Sequence, residues 1–408
     1  MFNYLKNKRS SNYDRDNFDA FLKKVSFSYD VPSIHVGGTN GKGQTCSYIA
    51  SIYKEAGYKV GLYTSPYTLE PTETIQINGE SISKETFEKY INEYKKLFDK
   101  YNLTEFEIET FIAFKYFQDQ KCDIGVIECG MGGEIDATNI FDSILSIITS
   151  ISLEHTSVLG RTLGEIAEHK AGIIKENTSV LIDEFDEVAL NVFAERSREL
   201  DAKIEILGKA HNVILKDDGY HFDYDNLVDL HINKKSLASL KDATFAIEAI
   251  LLLRDRFNVE SKDIYGGLIT SILSARMEVL GKRSNIIIDG AHNPEAINAL
   301  IKDVELISQN RNIHIVFASF KDKNISLMLP TLAILSSDIT LTEFDHERCR
   351  QEEDYFLYLD EYKFNSDFKG VITSLISEYP DDVILITGSL AFAGIVSELF
   401  KKGEFKYE

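Results

Sequence analysis

The sequence has no tryptophan, only six prolines and only four cysteines in 408 residues. Four thiols cannot staple so long a chain, and Cys46, Cys122, Cys129 and Cys349 lack the paired spacing of a metal site. They are expected to be reduced thiols of a cytoplasmic protein. No run reaches the roughly 18 apolar residues that a spanning helix requires. The longest, around Leu251–Leu253, is bounded by Glu248 and Arg254. The opening MFNYLKNKRSSNYDRDNF has no apolar core of a secretory signal. Basic residues are also in deficit: 44 Lys and Arg face 65 Asp and Glu, a net charge of −21. A field of that sign repels nucleic acid and anionic membrane, so neither is expected as a partner. A small nucleotide needs only a local cradle and is not excluded.

What is present is the rhythm of an α/β protein: short β-branched runs followed by helical patterns, without internal repeats. Ile124–Ile127 and Ile144–Ile148 are continuous apolar runs, as expected of strands buried on both faces of a parallel sheet. Helices are expected over about 84–98, 107–117 and 237–257. Between Ile204 and Ile232 the pattern turns to polar alternation around Asp217-Asp218-Gly219, which suggests a small antiparallel insertion. A second α/β block follows, with strands at Ile286–Ile288, Ile313–Phe317, Ile339–Leu341 and Val383–Thr387. The expectation is two doubly wound domains, residues 1–282 with a P-loop-type nucleotide site and residues 283–408 with a Rossmann-like fold, their boundary near Gly281–Ser284.

Three features carry chemistry. Between the strand at Ile34–Val36 and a helix lies Gly37-Gly38-Thr39-Asn40-Gly41-Lys42-Gly43-Gln44-Thr45. Its glycines let backbone N–H groups turn inward, the helix N-terminus adds partial positive charge, and Lys42 can reach outer phosphates. The spacing is not that of a strict P-loop. Glu128 closes one strand run and His155 follows another. Ligands of open parallel sheets bind beyond the carboxyl ends of strands, so Lys42, Glu128 and His155 are expected at one edge. A carboxylate and an imidazole there suit magnesium held against ATP phosphates. The plainer readings are a glycine turn with a solvated lysine, and strand-end residues that merely cap. Asp289–Pro294 and Thr387-Gly388-Ser389 stand in equivalent strand–turn positions of the second block, where Asn293 and Pro294 also read as a helix start. Lys170 alone reads as a solvated helix lysine.

Taken in order, these motifs resemble the folylpolyglutamate synthase and dihydrofolate synthase family of the Mur ligase superfamily. The resemblance runs from about Ile34 to Gly394 through His35–Gly43, Tyr63-Thr64-Ser65-Pro66, Phe106-Glu107 with Thr110, ECGMGGEIDATN from Glu128 to Asn139, His155 with Leu159-Gly160, Lys170–Ile173, Arg276 with Glu278, Asp289–Pro294 and Thr387–Leu390. It implies an ATP-dependent ligase that adds L-glutamate to dihydropteroate or a reduced folate through an acyl phosphate, acting as a cytoplasmic monomer. It assigns Asn40, Gly41, Lys42 and Gly43 to the ATP phosphates, and Arg276 and Asp289 to the rest of ATP. Ser65, Glu128 and His155 become magnesium ligands, and Lys170, carbamylated, serves a second magnesium. Thr104, Phe106, Glu107, Ile135 and Asp136 match the pterin region, and His292 and Ser389 lie where glutamate is handled. Lys42, His155, Lys170 and His292 are its catalytic set.

The chain departs from the family pattern at Gln44, Tyr67, Thr74, Glu134 and Ala275, and Phe245 stands where the family has an adenine-side asparagine. Phosphate and metal chemistry is expected to be kept, with adenine and folate contacts altered. Phe245 would then stack on the base, or else belong to the core. The alternatives are a non-catalytic nucleotide-binding descendant and a Mur-type ligase with a non-folate acceptor.

Overall fold

The computed structural model describes residues 4, 5, 7, 8, 15–156, 158–271, 273–281 and 285–406. The chain divides into two compact units, one of residues 1–214, 221–232 and 241–272, the other of 215–220, 233–240 and 273–408. The expected boundary falls mostly on residues 282–284, outside the described residues. The longest segment of the second unit runs from Leu273, and it includes the edge strand Glu278–Leu280, which pairs with Ile286–Ile288.

The first unit is built on eight strands: β1 (Ser33–Gly37), β2 (Val60–Tyr63), β3 (Ile75–Ile77), β4 (Glu80–Ser81), β5 (Ile124–Glu128), β6 (Leu145–Ile148), β7 (Ser179–Ile182) and β8 (Lys203–Ile206). Their order is β4-β3-β2-β5-β1-β6-β7-β8. Pairing is parallel from β2 to β8, while β3 and β4 add an antiparallel edge. β1, β5 and β6 are buried at every position, so none shows an alternating polar face, and the polar residues they carry, Ser33, His35, Ser146 and Glu128, are themselves buried. The helices Asp16–Val25, Lys84–Lys100 and Glu105–Asp119 contribute Phe21, Phe98 and Phe111 to one aromatic core. There Phe111 meets Phe21 edge-on with centroids 4.9 Å apart, a geometry that the ring quadrupoles favour.

β1 sits between β5 and β6, with Val36 level with Glu128 and Gly37 level with Ile148. The chain thus leaves β1 toward one side of the sheet and returns to its other side. That makes the carboxyl end of β1 a switch point, where the diverging loops open a crevice.

A small sheet, β9 (His211–Lys216), β10 (Gly219–Tyr224) and β11 (Leu227–Ile232), follows β8, in the order β11-β10-β9. The insertion read from the alternating pattern is therefore present. Along β10, Tyr220, Phe222 and Tyr224 are buried while His221 and Asp223 are not, the period-two signature of a one-sided sheet. The Tyr224 hydroxyl accepts from Gly208 N at 3.1 Å and donates to Glu248 Oε2 at 2.7 Å.

The second unit carries β12 (Glu278–Leu280), β13 (Ile286–Ile288), β14 (Ile313–Phe317), β15 (Ile339–Leu341), β16 (Lys363–Phe364) and β17 (Val383–Thr387). They are ordered β12-β13-β17-β14-β15-β16, parallel except at β12. Ile287 and Leu385 enter one apolar core, and Ile286, Ile288, Ile384 and Ile386 enter another. Alternate residues therefore serve opposite faces of a doubly covered sheet. No helix among the described residues is long and apolar enough to cross a membrane.

Candidate active site

The glycine loop leaves β1 and enters the helix Lys42–Glu55 at Gly41, whose φ is 87°. Gly38, at φ 140°, and Gly41 are required for space as well as conformation. A Cβ on Gly38 would fall 2.1 Å from Thr149 Oγ1, and one on Gly41 2.3 Å from Asp242 Oδ1. The segment after β6 pins the loop. Thr39 N donates to Ser150 O at 2.9 Å, Asn40 N to Ser150 Oγ at 2.7 Å, and Thr149 Oγ1 to Asn40 O at 2.6 Å. Lys42 Nζ folds back onto Thr39 O at 3.0 Å. A cation and the first amides of a helix thus share one rim, the arrangement that receives phosphate.

Glu128, at the end of β5, is buried beside this loop. Its Oε2 accepts from Ser65 N at 2.9 Å and lies 3.2 Å from the position a Cβ on Gly43 would take. The loop after β2, the end of β5 and the start of the phosphate helix therefore meet at one carboxylate. His155 stands exposed on the turn after β6, with φ 47°, and its carbonyl accepts from Val158 N and Leu159 N. The same turn reaches the glycine loop through Ser152 N and Thr39 Oγ1, 3.1 Å apart.

Lys170 is not a solvated helix lysine. It is 1% exposed, with Glu154 Oε1 at 3.7 Å. Burial, and next the Lys42 ammonium, push its pKa down to about 8, against the pull of Glu154. The neutral amine is thus far more accessible here than in an exposed lysine, although the ammonium remains the major form below pH 8.

The residues matched to the pterin region are mostly engaged locally. Thr104 and Glu107 form a reciprocal capping box at the helix Glu105–Asp119, with Thr104 N to Glu107 Oε2 at 2.7 Å and Glu107 N to Thr104 Oγ1 at 3.2 Å. Asp136 is buried and accepts from Met131 N at 2.7 Å and Thr138 N at 2.9 Å. Burial raises its pKa against those bonds. Phe106 stacks on Tyr63 at 6.1 Å and lies over Gly130, where a Cβ would come within 2.5 Å of its ring. Ile135 is half-buried.

Phe245 is 0% exposed on the helix Leu237–Leu252, among other fully buried residues such as Ala246 and Ala249. The core reading of this ring therefore holds, and the base-stacking reading is withdrawn. The residue of that segment which reaches the glycine loop is Asp242, three positions earlier. Its carboxylate fills the space a Cβ on Gly41 would need, and sequence reasoning did not single it out. Gln44, in the first turn of the phosphate helix, is 4% exposed, and neither amide atom has a hydrogen-bond partner among the described residues.

In the second unit, Arg276, Asp289, His292 and Ser389 come from neighbouring loops. Asp289, half-buried at the end of β13, accepts from Met277 N and Ala291 N, each at 2.8 Å. Gly290 N donates to Ala275 O at 2.9 Å, and Lys234 Nζ to Arg276 O at 2.9 Å. His292 Nδ1 lies 2.8 Å from Gly290 O. Gly388 N donates to Ala291 O at 3.1 Å, joining the loops that carry His292 and Ser389. Ser389 is 2% exposed, and its Oγ has no hydrogen-bond partner among the described residues. Asn293 caps the helix Pro294–Ser308 through Ala296 N at 2.8 Å, with Pro294 at its first position, as the sequence indicates.

Both units match known proteins. Residues 36–239 match the Mur ligase middle domain, and residues 275–390 the glutamate ligase domain of Mur ligases. The chain is 31% identical over 391 residues to the dihydrofolate synthase/folylpolyglutamate synthase of Bacillus subtilis, covering 91% of each. It is 30% identical to the dihydrofolate synthetase of Saccharomyces cerevisiae, over 88% of this chain and 91% of that one. Among solved structures, Escherichia coli FolC in complex with DHPP and ADP superimposes with a TM-score of 0.87 at 25% identity, covering 98% of this chain and 97% of that one. The matched segments include the glycine loop, the carboxylate and lysine beside it, and the loops of the second unit, and on these grounds the chain belongs to the folylpolyglutamate synthase/dihydrofolate synthase family of the Mur ligase superfamily.

Proposed function

We propose that the protein is an ATP-dependent ligase joining L-glutamate to a carboxylate of dihydropteroate or a reduced folate. The observation that carries this reading is the pinned glycine loop with Lys42, set against buried Glu128 and the partly neutral Lys170. The acceptor carboxylate attacks the γ-phosphorus, an acyl phosphate forms and ADP leaves. The glutamate amine then attacks the acyl carbon, an amide forms, and phosphate leaves with loss of a proton from nitrogen. Lys42 and the helix amides hold the charge of the transferring phosphoryl group, and positioning does most of the rest.

Asn40, Gly41 and Gly43 contribute backbone to the phosphate cradle, while Arg276 and Asp289 serve the remainder of ATP. Ser65, Glu128 and His155 would hold magnesium, since a hydroxyl and a carboxylate offer the hard oxygens it takes. When bound, magnesium neutralises phosphate charge and polarises the group being transferred. The Lys170 amine, neutral in part, attacks carbon dioxide and loses a proton to give a carbamate. That anion can serve a second magnesium, which an ammonium could not. Thr104, Glu107 and Asp136 shape the pterin wall through their local bonds, with Phe106 and Ile135 supplying apolar surface. His292 and the partnerless Ser389 hydroxyl receive glutamate. The protein acts in the cytoplasm as a monomer.

Phosphate release from ATP is the test, with glutamate and dihydropteroate, tetrahydrofolate or neither. Release should need magnesium, glutamate and one acceptor together. ATP turnover indifferent to both organic substrates would overturn the assignment.

A further inference from the structure

The small sheet β9–β11 carries a second constellation, which the ligase chemistry does not use. Ligand atoms of Asp218, His221 and His231 all lie within 4.8 Å of one another, the one such group of three found among the described residues. Asp218 is in the turn leading into β10, His221 on β10 and His231 on β11. The two imidazole rings are stacked, with centroids 4.5 Å apart and planes within 15°. His221 Nδ1 lies 3.0 Å from Asp229 Oδ1. Both histidines stand on the face opposite buried Tyr220, Phe222, Leu230 and Ile232, so the site is open to solvent on one side.

We propose that this face binds a late first-row divalent cation of the zinc class, with His221, His231 and Asp218 as ligands. Imidazole nitrogen with one carboxylate is the donor set of such ions rather than of magnesium or calcium. Asp229 fits as the outer carboxylate that holds Nδ1–H of His221 and leaves Nε2 to carry the lone pair, the usual support of a metal-bound histidine. A tetrahedral ion with bonds of 2.0–2.1 Å sets its ligand atoms roughly 3.3 Å apart. The acidic surroundings, with Asp217, Asp223 and Asp225 in the same small sheet and its turns, draw cations to the face.

The test is zinc titration of the full chain against a chromophoric chelator, with magnesium and ADP in excess to occupy the nucleotide site. Thermal unfolding is followed in parallel. One equivalent of zinc should bind and raise the melting temperature. His221→Ala and His231→Ala should each remove that equivalent and the shift, while ligase turnover stays unchanged. Asp229→Asn should weaken binding about 10–100-fold. If an alanine variant fails to fold, His221→Gln and His231→Gln replace it, since glutamine keeps the volume on this outward face. Absence of zinc binding at micromolar concentration would overturn the site. So would an equivalent that survives in both histidine variants, which would place it elsewhere.

Discussion

Two loops of this protein bend through left-handed backbone, and they manage it differently. In the first unit the turns are made by Gly38 and Gly41, where no Cβ would fit. In the second, Ala275 at φ 58° and Met277 at φ 46° flank Arg276 with no glycine at all. A left-handed residue with a side chain costs roughly 1–2 kcal/mol. Here the bonds from Met277 N to Asp289, from Gly290 N to Ala275 O and from Lys234 Nζ to Arg276 O offset that cost. Where the neighbouring atoms crowd in, glycine is the only solution. Where space remains, surrounding bonds can enforce a conformation that sequence alone would not suggest.

The comparison can be broken most severely from the glycine side. Lys42→Ala removes the cation from the phosphate rim and should lower turnover at least about 100-fold, comparable to deleting one transition-state donor. Phosphate release measures the loss, and an unchanged circular dichroism spectrum shows that the fold is kept. Lys170→Arg should be nearly as inactive, because guanidinium keeps a charge and forms no carbamate. For wild type, the free-amine fraction of Lys170 grows as pH rises through 8, so recovery of activity by bicarbonate after carbon dioxide is stripped should speed up over that range. The stability sign is the same. The folded pKa of about 8 lies below the ordinary 10.5, so the cost of burying the cation is full below 8 and fades as pH rises toward 10.5. A rate of recovery independent of pH would remove the lysine from this role.

Gly41→Ala should raise the KM for ATP about tenfold or more, as the new methyl drives the loop off Asp242. Adding Asp242→Gly should restore part of the loss by vacating the space, and no rescue would mean that the backbone angle alone is decisive. The smallest effect is expected at Ala275→Gly. It relieves a left-handed alanine but frees the unfolded chain, leaving a net gain of about 0.5–1 kcal/mol. Denaturant titration at constant m-value would read it, and a loss of stability would show that the three enclosing bonds leave no strain to relieve.

The fold was legible because buried parallel strands announce themselves as unbroken apolar runs, and the glycine loop because its strand–turn–helix setting is local. Glu128 followed from the same logic, being the residue at which such a run ends. The pterin-side residues were legible only by resemblance. Locally Thr104-x-x-Glu107 is a helix start, and the structure uses it as one. Phe245 and Asp242 show the limit more sharply. Both lie on one helix, three residues apart, and only the packing of that helix decides which faces the core and which the loop. Lys170 was hidden for the same reason, since burial of a lysine is a property of its neighbours rather than of its own segment.

The pairing of Gly37 with Ile148 has a bearing on how sequence variants of this protein should be interpreted. Thr149 and Ser150, which follow immediately, grip Asn40 only while that register holds, so the sheet acts as a ruler for the nucleotide cradle. A conservative change at buried Val36 or Ile147, both inside the sheet, would shift the ruler by fractions of an ångström. It would then register as a change in ATP affinity before any loss of melting temperature, and a variant map sorted by distance from the ligand would file it as silent.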